Sequence, residues 1–193
     1  KYDDVIIPKG KVTFISGESG TGKSTLLKLL NGILTPGSGR IIYEGRDLSE
    51  FDTIELRKEI SLVSQDVFLF DTTIEQNFIR FYEYRDQVPP VADEIKRFLA
   101  LCGVPLSLDK DCTTMSGGER QRVYIAIFLS FLPKVIMLDE PTSALDQKNS
   151  GIVLENIISF CKKNDMTIII VSHDQALKDR FAEQNIVIKE RVL

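Results

Sequence analysis

The chain has 193 residues, of which 43% are hydrophobic and 27% charged, and its formal net charge at pH 7 is −4. This length and composition predict one folded domain with a hydrophobic core, and the acidic balance argues against a nucleic acid as the main ligand. No stretch approaches the ~20 apolar residues that a membrane-spanning helix requires, so any role at a membrane is expected to depend on a partner.

The first third of the sequence contains short strand-like segments and one helical segment. The helical segment, Thr25–Leu30, should end at Asn31-Gly32, a pair typical of helix C-termini. Four segments are predicted strands: Val5–Ile7, Lys11–Ser16, Arg40–Tyr43 and Ile60–Val63.

The middle of the chain shows helical periodicity without strand signals. Asp71-Thr72-Thr73 can cap a first helix, Pro90 can open a second, and Gly103 can end it. Ser116 stands where an N-cap belongs before a further helix over Gly118–Phe131. We therefore expect an inserted lobe of helices.

The last third alternates strands with helices. Val135–Leu138 and Thr167–Val171 are short apolar runs, typical of strands buried on both faces. Helices are predicted over Gln147–Lys163 and Gln175–Ala182, and a final strand over Asn185–Ile188. This alternation predicts an α/β fold with a largely parallel sheet.

A phosphate-binding loop is predicted between the second strand and the first helix. The pattern G-x-x-x-x-G-K-[ST] is matched by Gly17, Glu18, Ser19, Gly20, Thr21, Gly22, Lys23 and Ser24, with Thr25 next. Its glycines let backbone N–H groups surround a polyphosphate, and the following helix directs its positive end at the same anion. Lys23 can reach the β- and γ-phosphates, and the Ser24 hydroxyl can bind Mg²⁺.

Two carboxylates, Asp139 and Glu140, follow the buried strand Val135–Leu138. Parallel strands present their carboxyl ends at one edge of a sheet, where ligands bind. We expect Asp139 to contact Mg²⁺ and Glu140 to polarise an attacking water as general base.

A second anion-binding turn is predicted at Ser116-Gly117-Gly118-Glu119, where two glycines precede a helix. Taken alone, the same residues also fit an ordinary helix cap. With the loop at Lys23, the chain then has two candidate phosphate-binding surfaces.

Together these motifs resemble the ATP-binding cassette (ABC) family of transporter ATPases. In the family's order they are Gly17–Ser24, Gln65, the signature Met115-Ser116-Gly117-Gly118-Glu119-Arg120-Gln121-Arg122, Asp139-Glu140, the segment Pro141–Asp146, and His173. The resemblance extends from about Val12 to Ile188. It implies a P-loop NTPase (RecA-like) core with a mostly parallel sheet, an N-terminal antiparallel β region and an inserted α-helical lobe. One nucleotide-binding domain would span 1–193, with its core at 1–65 and 117–193 and the lobe at about 66–116.

The resemblance also implies roles for single residues. Glu140, His173 and Lys23 would be catalytic, with His173 against the γ-phosphate and the attacking water. Gln65 would join Ser24 and Asp139 as a contact of Mg²⁺ or its water. The implied nucleotide contacts are the loop Gly17–Thr25, Gln65, Ser116, Gly117, Gly118, Glu119 and Asp146.

Two partners are implied. Cassettes of this family pair head to tail, so the Ser116–Glu119 turn of one copy would close on the ATP held by its twin, giving an ATP-dependent homodimer. The other partner is an integral-membrane transporter subunit, and Asp66–Phe70 and Thr72–Asn77 resemble the stretch that meets it in exporters. No nucleic-acid partner is expected. A weaker resemblance is to small stand-alone cassettes assigned to iron or metal export.

The expected location is the cytoplasm, peripheral on the inner face of the cell membrane. No secretion signal opens the sequence, and Cys102, Cys112 and Cys161 lack metal-type spacing, which fits idle thiols in a reducing compartment.

Some positions depart from the family pattern. Met115 and Glu119 stand where leucine and glutamine are usual, and Ile127 stands where many relatives have arginine. Tyr2 is nearer to Lys23 than the aromatic residue that stacks on adenine in the family, so no residue is assigned that role.

Other P-loop proteins fit the sequence less well. Cassette ATPases of DNA repair or chromosome structure carry long coiled-coil insertions before the signature, and translation-linked relatives carry two cassettes where this sequence shows one. A small-molecule kinase would not explain Ser116–Glu119 or His173. The sequence therefore favours an enzyme that hydrolyses ATP to ADP and phosphate for transport.

Overall fold

The computed structural model describes residues 2–143, 145 and 147–189, which form an α/β fold around a five-stranded sheet. The sheet consists of β1 (Val12–Ser16), β4 (Ile60–Val63), β5 (Val135–Asp139), β6 (Thr167–Val171) and β7 (Gln184–Val187). A separate hairpin consists of β2 (Ile42–Tyr43) and β3 (Arg46–Asp47). The helices are α1 (Lys23–Leu30), α2 (Thr53–Glu59), α3 (Ile74–Glu83), α4 (Ala92–Leu101), α5 (Gly117–Ser130), α6 (Gln147–Lys163) and α7 (Gln175–Phe181).

The strands of the main sheet are parallel, in the order β4-β5-β6-β1-β7. In the pairing of β5 with β6, Asp139 lies beside Val171 at the carboxyl ends of both strands. The predicted α/β class with a mostly parallel sheet is confirmed. The antiparallel part is the β2–β3 hairpin, which turns at Glu44 and Gly45, both with positive φ.

The strands β1, β4, β5 and β6 each contribute to two hydrophobic clusters, because successive side chains point to opposite faces. Phe14 belongs to the larger cluster, which also contains the buried side chains of α5 and α6. The next residue, Ile15, belongs to the other cluster, together with Ile169 of β6, Leu27 of α1 and Leu56 of α2. The sheet is therefore covered by helices on both faces.

Helices α3 and α4 lie between β4 and α5 in the sequence, where the inserted helices were predicted. Their side chains Phe78, Ile95 and Leu99 are almost completely buried. These residues belong to the same hydrophobic cluster as Phe14 of the sheet. The division into a core and a lobe near residues 65 and 117 stays a prediction.

Polar caps define several helix starts as the sequence predicted. Thr73 Oγ1 accepts a hydrogen bond from the Gln76 backbone N–H at 3.2 Å, and Ser116 Oγ accepts one from Glu119 N–H at 3.3 Å. After α4, Gly103 has a φ of 67°, a conformation that glycine adopts most readily.

One predicted strand is absent from the structure, and one helix of the structure was not predicted. Val5–Ile7 is not a strand: Ile6 is 81% exposed, and its carbonyl accepts a hydrogen bond from the Gln184 side chain instead of from a strand backbone. Helix α2 was not predicted, although Asp52 gives a cap signal by accepting hydrogen bonds from the N–H groups of Ile54 and Glu55.

Candidate functional site

The predicted phosphate loop connects β1 to α1 in a shape that requires glycine at its start. Gly17 has a φ of 152°, and a Cβ there would lie 2.3 Å from the backbone oxygen of Ile188. Gly22 has a φ of 95° at the N-cap of α1. The loop backbone therefore takes a path that side chains would block.

Lys23 lies inside this loop and is only 7% exposed. Its Nζ donates hydrogen bonds to the carbonyl oxygens of Gly17 at 3.0 Å and Glu18 at 2.8 Å. Thr21 Oγ1 donates to the same Glu18 carbonyl at 2.9 Å. The loop thus holds a positive charge where a polyphosphate would meet the N-terminus of α1.

A cavity of about 280 Å³ lies beside the loop and brings together most of the predicted site. Its lining residues are Ser19, Gly20, Gly22, Lys23, Ser24, Thr25, Gln65, Asp139, Glu140, Val171 and His173. These residues come from the last positions of β5 and β6 and from the segments that follow β1, β4, β5 and β6, so the sheet's carboxyl edge assembles the cavity. Gly17, Glu18 and Thr21 are not lining residues and take part through the loop contacts just described.

Glu140 and His173 face each other in this cavity, with Glu140 Oε1 3.4 Å from His173 Nε2. Burial raises the pKa of the Glu140 carboxyl, while the neighbouring His173 lowers it and Asp139 raises it further. Among the described residues, Glu140 Oε1 has no hydrogen-bond partner although it is buried. A buried carboxylate oxygen without a hydrogen bond, on a group whose pKa is raised, suits a general base.

The backbone of Glu140 is in the left-handed region, with φ 52°. Its N–H donates to the Val171 carbonyl at 3.0 Å. Its own carbonyl accepts hydrogen bonds from Gln121 Nε2 at 2.8 Å and from the Ser143 N–H at 3.3 Å. Sequence reasoning did not single out Gln121, although a polar side chain on the buried side of a helix is a visible signal.

The turn at Ser116–Glu119 lies apart from the cavity, since none of its four residues lines it. Ser116 and Gly117 are exposed, and a Cβ built on Gly117 would meet nothing within 4 Å. Glu119 Oε2 accepts hydrogen bonds from the Ser116 N–H and hydroxyl, both at 2.8 Å, and these contacts lower its pKa. The turn is thus a rigid, capped helix start that another molecule can approach.

Asp146, the last predicted nucleotide contact, lies outside the described residues, as does Ala144 before it.

The oxygen donors near Lys23 fit a magnesium ion. Ser24, Gln65 and Asp139 line the cavity and supply a hydroxyl, an amide oxygen and a carboxylate, the hard ligands that Mg²⁺ prefers. Among the described residues there is no group of three or more His, Cys, Asp and Glu side chains that could hold a metal. A set with one carboxylate matches magnesium sites that are completed by substrate phosphates.

Residues 3–143 match the sequence pattern of a protein family described as "ABC transporter". Over 169 residues the chain is 36% identical to the probable iron export ATP-binding protein FetA of Escherichia coli, covering 86% of this chain and 74% of FetA. It is 31% identical over 194 residues to the probable siderophore transport system ATP-binding protein YusV of Bacillus subtilis, covering 97% of this chain and 70% of YusV.

Two solved structures have the same fold. CbiO1 from Clostridium perfringens, part of the ABC transporter complex cbiONQ, has a TM-score of 0.82 at 32% identity, covering 96% of this chain and 76% of its own. The ATP-binding cassette MJ0796, in a dimeric post-hydrolysis state with ADP and Pi, has a TM-score of 0.80 at 25% identity, covering 96% and 84%. No helix in the described part of this chain has the length and apolar character to cross a membrane.

Proposed function

The chain belongs to the ABC transporter family as an ATP-hydrolysing subunit, and on that premise we propose that hydrolysis takes place in the cavity beside Lys23. The observation that carries this proposal is the placement of Glu140 and His173 in one cavity with Lys23 and Asp139. A general base, a phosphate-binding cation and an acidic metal ligand are the groups that phosphoryl transfer to water needs.

The proposed division of labour follows from the contacts. The loop's N–H groups and Lys23 bind the β- and γ-phosphates and stabilise the charge of the transferring group. Glu140 accepts a proton from the attacking water through its carboxylate, whose buried Oε1 faces His173 and makes no hydrogen bond with the described residues. His173, 3.4 Å from that oxygen, holds the water and the γ-phosphate in line.

Ser24, Gln65 and Asp139 would hold Mg²⁺. When bound with ATP, the ion neutralises charge on the β- and γ-phosphate oxygens. Gln65 follows β4 directly ahead of the inserted helices, so it also links the state of the cavity to those helices.

We place the second half of each ATP site on another copy of the chain. Ser116 and Gly117 are exposed and do not reach their own cavity, which supports a role toward a neighbour. A head-to-tail homodimer lets the turn at Ser116–Glu119 meet the γ-phosphate of the ATP on its twin, at two equivalent sites. The dimeric state of the related MJ0796 agrees with this arrangement.

A groove between α3, the segment before it and the end of α5 is the proposed contact with a membrane subunit. The groove, of about 390 Å³, is lined by Phe68, Phe70, Phe81, Tyr84, Arg85, Phe128 and Phe131. Phe68 and Tyr84 are 58% and 76% exposed, and a surface aromatic patch of this kind marks a docking site. The predicted contact stretch Asp66–Phe70 contributes two of these rings. Docking there would hold the subunit on the inner face of the cell membrane.

The names of the relatives refer to different transport processes, including iron export, siderophore transport and phosphonate import. This variety fits a motor whose cargo is chosen by the membrane subunit. The similarity to FetA supports iron or another metal as the first cargo to assay.

The substitution Glu140→Gln tests the proposal. It keeps the shape of the side chain and removes its basicity, so ATP binding should persist while turnover falls about 10²-fold or more. Glu83→Gln, a similar change at an exposed site on α3, is the control and should hydrolyse ATP normally. Near-normal turnover of Glu140→Gln would remove Glu140 from the role of general base. Phosphate transfer to an acceptor other than water would instead favour a kinase. Stimulation of ATP hydrolysis by DNA or ribosomes would favour a cassette ATPase that does not serve transport.

A further inference from the structure

The backbone of Glu140 is strained and depends on its neighbours to stay in place. Its φ of 52° is a left-handed conformation, which costs a residue with a side chain roughly 1 kcal/mol. Such a conformation persists only where surrounding contacts hold it. On the amide side the contact is Val171, and on the carbonyl side the shorter of two hydrogen bonds comes from Gln121.

Gln121 is buried and makes this contact through its side-chain amide. It is only 7% exposed, on α5, and its Nε2 lies 2.8 Å from the Glu140 carbonyl oxygen. The other donor to that oxygen, the Ser143 N–H, is at 3.3 Å. A buried amide costs free energy unless it is hydrogen-bonded, so an apolar side chain would serve a purely structural role at least as well.

The same helix begins at the exposed turn. Ser116 is the N-cap of α5, and Gln121 follows five residues later, about 7.5 Å along the helix axis at 1.5 Å per residue. The reciprocal bonds between Ser116 and Glu119 make this first turn rigid. A displacement of the turn is therefore carried to the Gln121 amide, and from there to the Glu140 carbonyl.

We infer that Gln121 is a positioning residue for ATP hydrolysis, which holds Glu140 in its working conformation and couples it to the turn at Ser116. This inference rests on the proposed function. ATP bound by one copy touches the Ser116 turn of its twin, and the twin's Gln121 passes that contact to the general base of its own cavity. The two ATP sites of the dimer would thus be coupled through α5.

The test uses Gln121→Met, which keeps length and volume but has no donor, and Gln121→Glu, which places a carboxylate against the carbonyl. We expect kcat for ATP hydrolysis to fall about ten- to a hundredfold, because small misplacements of a catalytic group have effects of this size. The KM for ATP should change by no more than about twofold, since Gln121 is not placed on the nucleotide. The ATP-bound dimer should accumulate, because closure is intact while hydrolysis is slow.

Ser130→Ala is the matched control, because Ser130 is a buried polar residue at the other end of α5 that bonds to Tyr82 and Ile127. Its kcat should stay close to that of the wild type. The inference is overturned if both Gln121 variants keep normal kcat while Glu140→Gln is inactive. It is also overturned if thermal unfolding shows that the loss of kcat in both variants is fully explained by a smaller folded fraction of the protein. If Glu140→Gln is itself active, the proposed function has failed, and not this inference alone.

Discussion

Glu140 Oε1 lies 3.4 Å from His173 Nε2, although the two residues are far apart in sequence and follow different strands. Their strands, β5 and β6, are neighbours in the sheet, and Asp139 pairs with Val171 at their carboxyl ends. The contact is therefore a product of strand order. It places a carboxylate and an imidazole together at the carboxyl edge of the sheet.

Glu140→Gln is expected to make the nucleotide-free, magnesium-free protein more stable at neutral pH. Burial raises the pKa of Glu140 in the folded state, so ionising it opposes folding once the pH exceeds its unfolded pKa. The gain in melting temperature should be largest above the raised pKa and should vanish below the unfolded pKa of about 4.3. Thermal unfolding between pH 4 and 8 measures it; a loss of stability at neutral pH would contradict the direction of the shift.

Glu183→Gln should show the opposite sign. Glu183 accepts hydrogen bonds from the Lys162 side chain, from the Val12 N–H at 2.8 Å and from Lys11 at 3.2 Å, and these contacts lower its pKa to about 2. The charged form thus favours folding above the unfolded pKa, and the benefit is lost as the pH falls through about 2. The variant should melt below the wild type at pH 7, and the two curves should converge in acid. Equal melting temperatures at pH 7 would mean that these contacts contribute nothing.

Ser116→Arg should prevent the ATP-dependent dimer while sparing ATP binding by the monomer. The arginine adds bulk at an exposed turn that lies outside its own cavity, so only the contact with a twin is blocked. Dimerisation is measured by size-exclusion chromatography with ATP in the Glu140→Gln background, and binding by a fluorescent nucleotide. Ser38→Arg, the same change at an exposed serine outside the turn, is the control. A Ser116→Arg dimer that still forms with ATP would refute the trans arrangement.

Gly17→Ala should weaken ATP binding, whereas Gly37→Ala should not. At Gly17 the new methyl would lie 2.3 Å from the Ile188 backbone oxygen, and that backbone cannot move as a side chain does. At Gly37 the methyl meets nothing within 4 Å, and φ is not positive. Nucleotide titration should show at least about a tenfold loss of affinity for Gly17→Ala, equivalent to ~1.4 kcal/mol. Unchanged affinity would mean that the loop relaxes without disturbing its N–H groups.

Phe68→Glu and Tyr84→Glu should separate the protein from its membrane partner without lowering its basal ATPase. Both rings are exposed, line the aromatic groove and each pack on Phe70, so each change should lower the free energy of unfolding by no more than about 1.5 kcal/mol. Val88→Glu is the control, since Val88 is 89% exposed but does not line the groove. Co-purification with membranes should fall for the first two variants only. If all three variants co-purify with membranes equally, the membrane partner docks at another surface.

Local patterns in the sequence were sufficient to predict most elements and most of the residues that line the cavity beside Lys23. Apolar runs predict β5 and β6 because strands buried on both faces need such side chains, and the glycines of the Lys23 loop predict a backbone that could surround an anion. Ser116 was predicted as an N-cap because capping depends only on neighbouring residues, and it caps α5. The segment Val5–Ile7 failed because a strand needs a partner, which its own residues do not specify.

By itself, the sequence therefore determined the elements and motifs whose signals are local: the glycine-rich loop before α1, the two carboxylates at the end of β5 and the helix caps. The tertiary structure decided which of them meet. It brings His173 to Glu140, keeps Ser116 outside the cavity and sets the Gln121 amide on the Glu140 carbonyl. These contacts join distant segments, and they follow from the strand order and from how α5 packs on the sheet, which no short stretch of sequence encodes.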